Sequence, residues 1–374
     1  MKNRYDHTEA QNYIDRYPDF PQEMGLRVYT SRLIGQEEDL VLHGGGNTSA
    51  KARMLNLLGE EQEVIFVKGS GWDLGAIEPA GLPGLNLRNL RKLRVLNTLS
   101  DEAMVNQFRT NLLDATSPNP SIETLVHAFL PHAFIDHTHA DAIVTLTNQA
   151  DADTLLQQAL GNKVGILPFI MPGFPLAQAV IELYEKQPDM ECLILRNHGI
   201  FTFSDNAKEA YDLMIEYVSR AEAFIAGKQA SVPQPDVQEC AAPDLNLVMP
   251  LLRGALSFKD DTGYRRTFHL HLRRNETITQ MINGTDAEEL LVSGVLTPDH
   301  VIRTKNYPLY LDFSTLHNQD DMADYIHNAI KKYQQDYIQY FDSQIKNKKV
   351  QRTRLDTMPR VLLVKGVGII TVGK

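Results

Sequence analysis

The sequence predicts an α/β protein of two domains. Helix-like and strand-like segments alternate through the first half of the chain. The length of 374 residues corresponds to about two or three domains. Residues 229–246 change character, because they combine three prolines with serine and aspartate. We therefore expect a first domain at 1–228, a linker at 229–246 and a second α/β domain at 247–374.

Composition and charge exclude several classes of protein. Apolar residues make up 43% of the chain and charged residues 22%, which excludes a disordered or collagen-like chain. Lysine and arginine number 37 against 47 aspartates and glutamates, so the net charge is −10. An acidic chain is a poor electrostatic match to nucleic acid or to an anionic membrane, and we expect neither as a partner. A local basic pocket for a small anion remains compatible with this charge.

The sequence also predicts a compartment. No apolar run approaches the roughly 18 residues that span a bilayer, and no apolar segment follows the first seven residues. Cys192 and Cys240 do not form a C-x-x-C pair, so we expect free thiols in a reducing environment. A cytoplasmic protein is the expectation.

Periodicity and capping residues predict the individual elements. In the first half, we expect helices at 22–34, 85–99, 150–160 and 207–226, and one that opens at Ser121. We expect strands there at 64–67 and 133–147, and a hairpin of 192–195 with 200–203. In the second half, we expect strands at 267–272 and 301–303, a long polar helix at 320–346, and a strand pair at 361–364 and 368–372.

The two halves share a short sequence pattern. Residues 193–204 align with residues 362–373, and Val367 in the second segment stands in place of His198 in the first. Two explanations remain open at this point. Either the second half is a degenerate repeat that has lost its chemistry, or hairpins with glycine turns simply look alike.

A His-x-His pair is the strongest candidate for a metal site. Side chains two positions apart on a strand point to the same face, so His137 and His139, about 7 Å apart along it, can hold one ion. Glu123 at the start of a predicted helix and His198 in a predicted turn add a carboxylate and a third imidazole. This ligand set fits a divalent transition metal, and zinc is the metal that we expect. The alternative is a pair of surface histidines on a strand.

The chain contains an internal comparison for this pair. His269 and His271 have the same spacing, but Ala255 stands fourteen positions before His269, where the first pair has Glu123. Four arginines flank the second pair. We interpret it as part of an exposed strand.

Two segments of small residues are candidates for anion binding. Residues 44–49 read Gly-Gly-Gly-Asn-Thr-Ser, which is neither a P-loop nor a dinucleotide fingerprint. Glycines let backbone N–H groups converge on an anion, and Asn, Thr and Ser add donors. Residues 68–71, Lys-Gly-Ser-Gly, form a second such turn with a cation. Together the two segments are suited to one phosphate, whereas either alone is an ordinary loop.

In their order and spacing, these motifs resemble the class II aldolase/adducin family. They are Gly46-Asn47-Thr48-Ser49, Gly69-Ser70-Gly71, Ser121-Ile122-Glu123, His137-Thr138-His139 and Asn197-His198-Gly199. Within the family, the chain is most similar to the aldolase part of bifunctional rhamnulose-1-phosphate aldolase/short-chain dehydrogenase proteins. The resemblance implies a three-layer α/β/α sandwich around a mostly antiparallel sheet. It also makes the second α/β domain a candidate degenerate copy of the first.

The resemblance assigns roles to individual residues. It implies that His137, His139 and His198 hold one zinc ion, and that Glu123 shares the metal and acts as the base. It implies that the substrate phosphate is bound by Gly46, Asn47, Thr48, Lys68, Ser70, Gly71 and Ser121. Ile122 replaces a second serine that the family often has.

These roles imply cleavage of a ketose 1-phosphate, such as rhamnulose 1-phosphate, to dihydroxyacetone phosphate and a small aldehyde. In that chemistry a carboxylate takes the proton of the C4 hydroxyl, and the remote phosphate supplies binding energy. Two alternatives are a pentulose-phosphate epimerase or dehydratase, and a non-catalytic adducin-like assembly protein. The resemblance further implies a homo-oligomer, for which a tetramer is one candidate, and leaves open a dehydrogenase partner that acts on the aldehyde.

Overall fold

The structure is a computed structural model that describes residues 1–228, 236–237, 242–260, 262–316, 318–348 and 352–373. Its contacts divide the chain into two compact units. The first unit is Met1–Ala230 together with Leu296–Asp299, and the second is Ser231–Val295 together with His300–Lys374. Most of the predicted linker lies outside the described residues. The sequence gives no sign that Leu296–Asp299 belongs with the first unit.

The first unit contains nine α-helices and seven strands among its described residues. The helices are α1 (His7–Arg16), α2 (Gln22–Gly35), α3 (Leu87–Lys92), α4 (Asp101–Thr110), α5 (Thr124–Phe129), α6 (Asp141–Thr147), α7 (Ala152–Leu160), α8 (Phe174–Lys186) and α9 (Ala207–Lys228). The strands are β1 (Asn47–Leu55), β2 (Glu61–Val67), β3 (Gly84–Asn86), β4 (Phe134–Thr138), β5 (Val164–Leu167), β6 (Cys192–Leu195) and β7 (Gly199–Ser204).

Two sequence predictions for this unit were wrong in part. The single strand expected at 133–147 ends at Thr138, and α6 begins at Asp141. The β-branched residues of α6 favour a strand locally, but their burial follows a helical spacing. The helix expected at 85–99 is shorter, because its first residues form β3 and α3 ends at Lys92.

The seven strands form one sheet in the order β3-β2-β1-β4-β7-β6-β5. Neighbouring strands are antiparallel, except that β5 and β6 are parallel. This confirms the mostly antiparallel sheet. Strand β4 lies in the middle, where His137 pairs with Asn47 on one side and with Phe201 on the other. The strand that carries the histidines is therefore held from both sides.

Helices cover both faces of this sheet. Successive strand residues point to opposite faces, and they divide between two hydrophobic cores. Ile194 and Ile200 belong to a core formed with α2, α6, α7 and α9. Leu193, Leu195 and Phe201 belong to a second core formed with α4, α5 and α8. The three-layer α/β/α sandwich is thus confirmed.

A buried ion pair fixes α2 against the central strands. Nη2 of Arg27 lies 2.5 Å from Oδ1 of Asp136, and both side chains are fully buried. Arg27 also donates to the carbonyl oxygens of Ser49 and Ile135. Burial lowers the pKa of Arg27 and raises that of Asp136, while their mutual attraction opposes both shifts. Removing either partner would leave an uncompensated buried charge.

The remaining described elements lie almost entirely in the second unit. The helices are α10 (Leu245–Leu256), α11 (Glu276–Ile282), α12 (Ala287–Leu291), α13 (Pro298–Thr304) and α14 (Gln319–Lys348). The strands are β8 (Phe258–Lys259), β9 (Arg265–Arg266), β10 (His269–Arg273), β11 (Leu309–Leu311), β12 (Val361–Val364) and β13 (Gly368–Gly373). The strand expected at 301–303 is wrong: these residues belong to α13, which starts at a proline, a residue favoured in the first helical turn.

Four strands of the second unit form a sheet in the order β10-β13-β12-β11, in which only β11 and β12 are parallel. Leu252, Ile326, Leu362 and Ile370 belong to its core. Among the described residues, no helix is long and apolar enough to cross a membrane. Cys192 is a buried free thiol, and Cys240 lies outside the described residues.

Candidate active site

The structure brings His137, His139 and His198 together in the first unit. Ligand atoms of the three side chains all lie within 4.8 Å of one another, and ring centroids are 4.9 to 5.1 Å apart. All three side chains are buried. No second group of this kind occurs in the part of the chain that the structure describes. Residues 61 positions apart thus form one potential metal centre.

The turn between β6 and β7 delivers His198 to this centre. Asn197 adopts a positive φ of 57°, and its backbone N–H donates to Oγ1 of Thr147 at 3.1 Å. A Cβ atom at Gly199 would lie 2.2 Å from the carbonyl oxygen of Thr138. The turn can approach the end of β4 this closely only because position 199 carries no side chain.

Local contacts set the orientation of His137. Its Nδ1 donates to the carbonyl oxygen of Ile200 at 3.0 Å. Its ring stacks on Phe201, with centroids 3.9 Å apart. Nε2 has no hydrogen-bond partner in the structure and points towards the other two imidazoles and Glu123. This leaves Nε2 free to bind a metal ion.

Burial keeps His137 and His198 neutral. It lowers the pKa of His137 well below its ordinary value, and the neighbouring His139 acts in the same direction. It lowers the pKa of His198 to about 3, although the carboxylate of Glu123 opposes that shift. A neutral imidazole is the form that ligates a metal ion.

Glu123 completes the donor set. It stands immediately before α5, with 5% of its surface exposed. Its Oε2 lies 3.4 Å from Nε2 of His137, and its Oε1 lies 3.7 Å from Nε2 of His198. Oε1 has no hydrogen-bond partner. Unsatisfied buried oxygen and nitrogen atoms that face one space, in a set of three imidazoles and one carboxylate, fit a divalent transition metal.

A chain of hydrogen bonds orients Glu123. Nδ2 of Asn47 donates to Oε2 of Glu123 at 2.7 Å. Oδ1 of Asn47 lies 2.5 Å from Nε2 of His127, and Nδ1 of His127 lies 2.8 Å from Oγ of Ser49. His127 is fully buried, which lowers its pKa well below the ordinary value. Neutral His127 therefore accepts from Ser49 and donates to Asn47, which directs the amide N–H towards the carboxylate.

The predicted anion-binding turn lies against the segment that precedes Glu123. The backbone N–H of Ser70 donates to the carbonyl oxygen of Asn119, and that of Ser121 donates to the carbonyl oxygen of Lys68. Gly69 pairs with Pro120. Ser70 and Ser121, which are 51 positions apart in sequence, thus belong to two paired loops.

Lys68 is buried, with 3% of its surface exposed. Its Nζ donates to the carbonyl oxygen of Gly44 at 3.0 Å, which ties the turn to the glycine segment. Its charge also contributes to the lowered pKa of His137. A buried cation thus lies between the glycine segment and the histidines.

Two further predicted phosphate residues, Gly46 and Thr48, have different surroundings. Gly46 has a φ of 56°, and a Cβ there would lie 2.7 Å from the carbonyl oxygen of His137. The hydroxyl of Thr48 lies 2.7 Å from Oγ of Ser31 on α2. The Thr48 side chain therefore contacts the helix instead of the paired loops.

One residue of this site has no counterpart in the sequence-based predictions. Oδ1 of Asp299 lies 3.0 Å from Nδ1 of His139, and Asp299 is 3% exposed. The two residues are 160 positions apart, and no short motif links them. The sequence favours a packed core histidine at position 127, but a histidine within an apolar helix gives no sign of its hydrogen-bond partners.

Comparison with known proteins agrees with this architecture. Residues 26–225 match the model of the class II aldolase and adducin N-terminal domain, and residues 243–374 match that of the class II aldolase second domain. The chain belongs to the class II aldolase and adducin family. The resemblance that the motifs indicated is therefore confirmed at the level of the family.

Two individual relatives are similar over different lengths. A Bacillus subtilis (strain 168) protein, the uncharacterized oxidoreductase YuxG, is 31% identical over 372 residues, which cover 96% of this chain and 52% of the relative. The chain thus spans about half the length of that relative. The solved N-terminal class II aldolase domain of a conserved protein from Thermoplasma acidophilum is 40% identical, with a TM-score of 0.54, over 60% of this chain and 99% of that domain.

Proposed function

We propose that the chain is a zinc-dependent class II aldolase that cleaves a ketose 1-phosphate, rhamnulose 1-phosphate or a similar sugar. The products are dihydroxyacetone phosphate and a small aldehyde. The observation that carries this proposal is the buried group of His137, His139 and His198, with the unpartnered oxygen of Glu123 beside it. When bound, zinc supplies the Lewis acid that stabilises negative charge next to the substrate carbonyl.

Glu123 is the proposed base. Its Oε2 is held by the amide of Asn47, whereas its Oε1 has no partner in the structure. An unpartnered carboxylate oxygen is suited to accept the proton from the C4 hydroxyl as the C3–C4 bond breaks. The chain Ser49–His127–Asn47 keeps the carboxylate in one orientation, so little reorganisation is needed during the reaction.

The substrate phosphate is proposed to bind at the paired loops. Ser70 and Gly71 are exposed, and Ser121 is half-buried beside them. The hydroxyl groups of Ser70 and Ser121 and the backbone N–H of Gly71 suit a dianion, and the positive φ of Gly71, 83°, is typical of such anion-binding turns. Lys68 adds a buried positive charge. Asn47 begins the strand that leads away from the glycine segment, and Gly46 immediately precedes it. The phosphate thereby orients the reacting end of the sugar.

The dehydrogenase partner also stays a proposal. The Bacillus subtilis relative extends well beyond the matched region, and its printed name is that of an oxidoreductase. An enzyme that oxidises or reduces the aldehyde product would fit that name. An assay of product release in the presence of a nicotinamide cofactor tests this link, when it is run both with and without such an enzyme.

The decisive experiment measures metal content and product release in the same preparation. We expect about one zinc per chain and release of dihydroxyacetone phosphate from rhamnulose 1-phosphate in a coupled assay. His139→Ala should remove both signals while the circular-dichroism spectrum is retained. Full activity in a metal-free variant would refute the proposal.

The other outcomes separate the alternatives. Zinc with isomerised or dehydrated sugar, and no dihydroxyacetone phosphate, would assign the site to an epimerase or a dehydratase. Absence of zinc after reconstitution would favour a non-catalytic, adducin-like role. Light scattering of the same sample tests the predicted homo-oligomer.

A further inference from the structure

We infer that Asp299 is a positioning residue that sets the tautomer and orientation of His139, so that Leu296–Asp299 completes the metal centre. This inference rests on the proposed function. Asp299 falls within the residues that match the second family model, but its contacts group it with the first unit. Its Oδ1 lies 3.0 Å from Nδ1 of His139.

The carboxylate of Asp299 is held from two sides. It is almost fully buried, and its Oδ2 accepts a hydrogen bond from the backbone N–H of Leu42 at 3.4 Å. A Cβ atom at Gly45 would lie 1.9 Å from Oδ1 of Asp299. Any side chain at position 45 would therefore displace the carboxylate. The middle glycine of the run 44–46 has a role apart from anion binding: it makes room for Asp299.

This arrangement determines which nitrogen of His139 is available. A carboxylate next to Nδ1 favours the tautomer with a proton on that atom, which leaves the lone pair on Nε2 for the metal. In His137, the carbonyl oxygen of Ile200 favours the same tautomer, with the proton on Nδ1. His198 has no partner at Nδ1 in the structure. Of the three histidines, His139 alone has a carboxylate at Nδ1.

The first test measures zinc affinity of the full chain by competition with a chromophoric chelator. We expect Asp299→Ala to weaken zinc binding by roughly 10- to 100-fold, as is usual for a lost partner of a metal-binding histidine. Asp299→Asn keeps a hydrogen-bond acceptor, so its zinc affinity should lie between those of Asp299→Ala and the wild type. Asp286→Asn removes the same charge from an exposed position before α12 and should leave affinity unchanged. Wild-type affinity in folded Asp299→Asn and Asp299→Ala would overturn the inference.

The second test does not depend on the metal. In metal-free protein with 15N-labelled histidine, the ring of His139 should carry its proton on Nδ1. Asp299→Ala should shift the proton towards Nε2, and Asp299→Asn, whose amide oxygen still accepts a hydrogen bond, should shift it less. An Nε2-protonated ring in the wild type, or no change in the variants, would overturn the inference. If the wild type binds no zinc, the proposed function fails, and the tautomer still decides the role of Asp299.

The cobalt-substituted protein gives a third readout. Its visible spectrum reports the geometry of the ligands and does not respond to a loss of stability alone. We expect a changed spectrum in Asp299→Ala and partial recovery in Asp299→Asn. Identical spectra in all three proteins would show that His139 is positioned without Asp299.

Discussion

The hairpin β6–β7 of the first unit and the hairpin β12–β13 of the second unit are built in the same register. In the first, the backbone N–H of His198 donates to the carbonyl oxygen of Leu195 at 3.1 Å. In the second, that of Val367 donates to the carbonyl oxygen of Val364 at 3.0 Å. Asn197 and Gly366 occupy the same place in the two turns, with φ of 57° and 76°.

The likeness extends from the hairpins to four strands. The order β4-β7-β6-β5 in the first sheet corresponds to β10-β13-β12-β11 in the second. In both, the last two strands are parallel and the other neighbours are antiparallel. This shared topology favours an internal repeat over a chance likeness of two hairpins.

The side chains at the candidate metal centre distinguish the two sheets. Aligned by register, Leu272 stands in place of His137, and Val367 stands in place of His198. Arg274 follows β10 where His139 follows β4. His269 and His271 occupy other positions in the register and are exposed, in keeping with the sequence-based interpretation. The comparison teaches that the same strand order and register can carry different side chains, whereas the candidate metal centre depends on particular ones.

The largest expected effect comes from making the turn of the β6–β7 hairpin resemble that of the β12–β13 hairpin. His198→Val removes one of the three imidazoles, so we expect zinc affinity to fall by more than about 100-fold. This loss exceeds the usual effect of removing a residue that only hydrogen-bonds to a metal ligand. Cleavage should fall with it. Zinc content by mass spectrometry and competition with a chelator measure the change.

The reciprocal change is the matched control. Val367→His restores only one histidine to the second sheet, where Leu272 and Arg274 cannot complete a site. We expect no additional zinc. A second bound zinc in this variant would show that the two sheets differ less than their side chains indicate.

The effect is confined to catalysis when only the base is altered. Glu123→Gln keeps the three histidines, so zinc should be retained, while cleavage falls by roughly 10²- to 10⁴-fold because the proton acceptor is lost. Glu289→Gln, in the first turn of α12 of the second unit, is a control that should not change the rate. Steady-state kinetics with metal analysis would contradict the assignment if Glu123→Gln retained its rate.

The smallest effect concerns the turns themselves. Gly366→Ala places a Cβ on a residue with positive φ and should cost about 1–2 kcal/mol of unfolding free energy. Asn197→Gly should change it by less than about 1 kcal/mol, because glycine adopts this conformation freely. Denaturant unfolding measures both. If Gly366→Ala left the free energy of unfolding unchanged, the β12–β13 turn would have to adjust its backbone, unlike the β6–β7 turn.

Local sequence patterns predicted much of this molecule. The hairpins, α2, α9 and α14 follow from periodicity and from breaker residues, which act within a few positions of one another. The candidate ligands His137, His139, His198 and Glu123 could be chosen because metal chemistry accepts few residue types. Errors arose where β-branched residues form a helix, as in α6, since propensity is a weaker determinant than burial.

The sequence by itself determined the family, the three-layer fold and the residue types of the candidate metal centre. Only the tertiary structure decided which partners orient them: Asp299 at His139, and His127 at Asn47. It also placed the hydroxyl of Thr48 within hydrogen-bond distance of the hydroxyl of Ser31. The physical reason is that a hydrogen bond depends on distances of about 3 Å between atoms, and folding brings such atoms together from residues that are up to 160 positions apart.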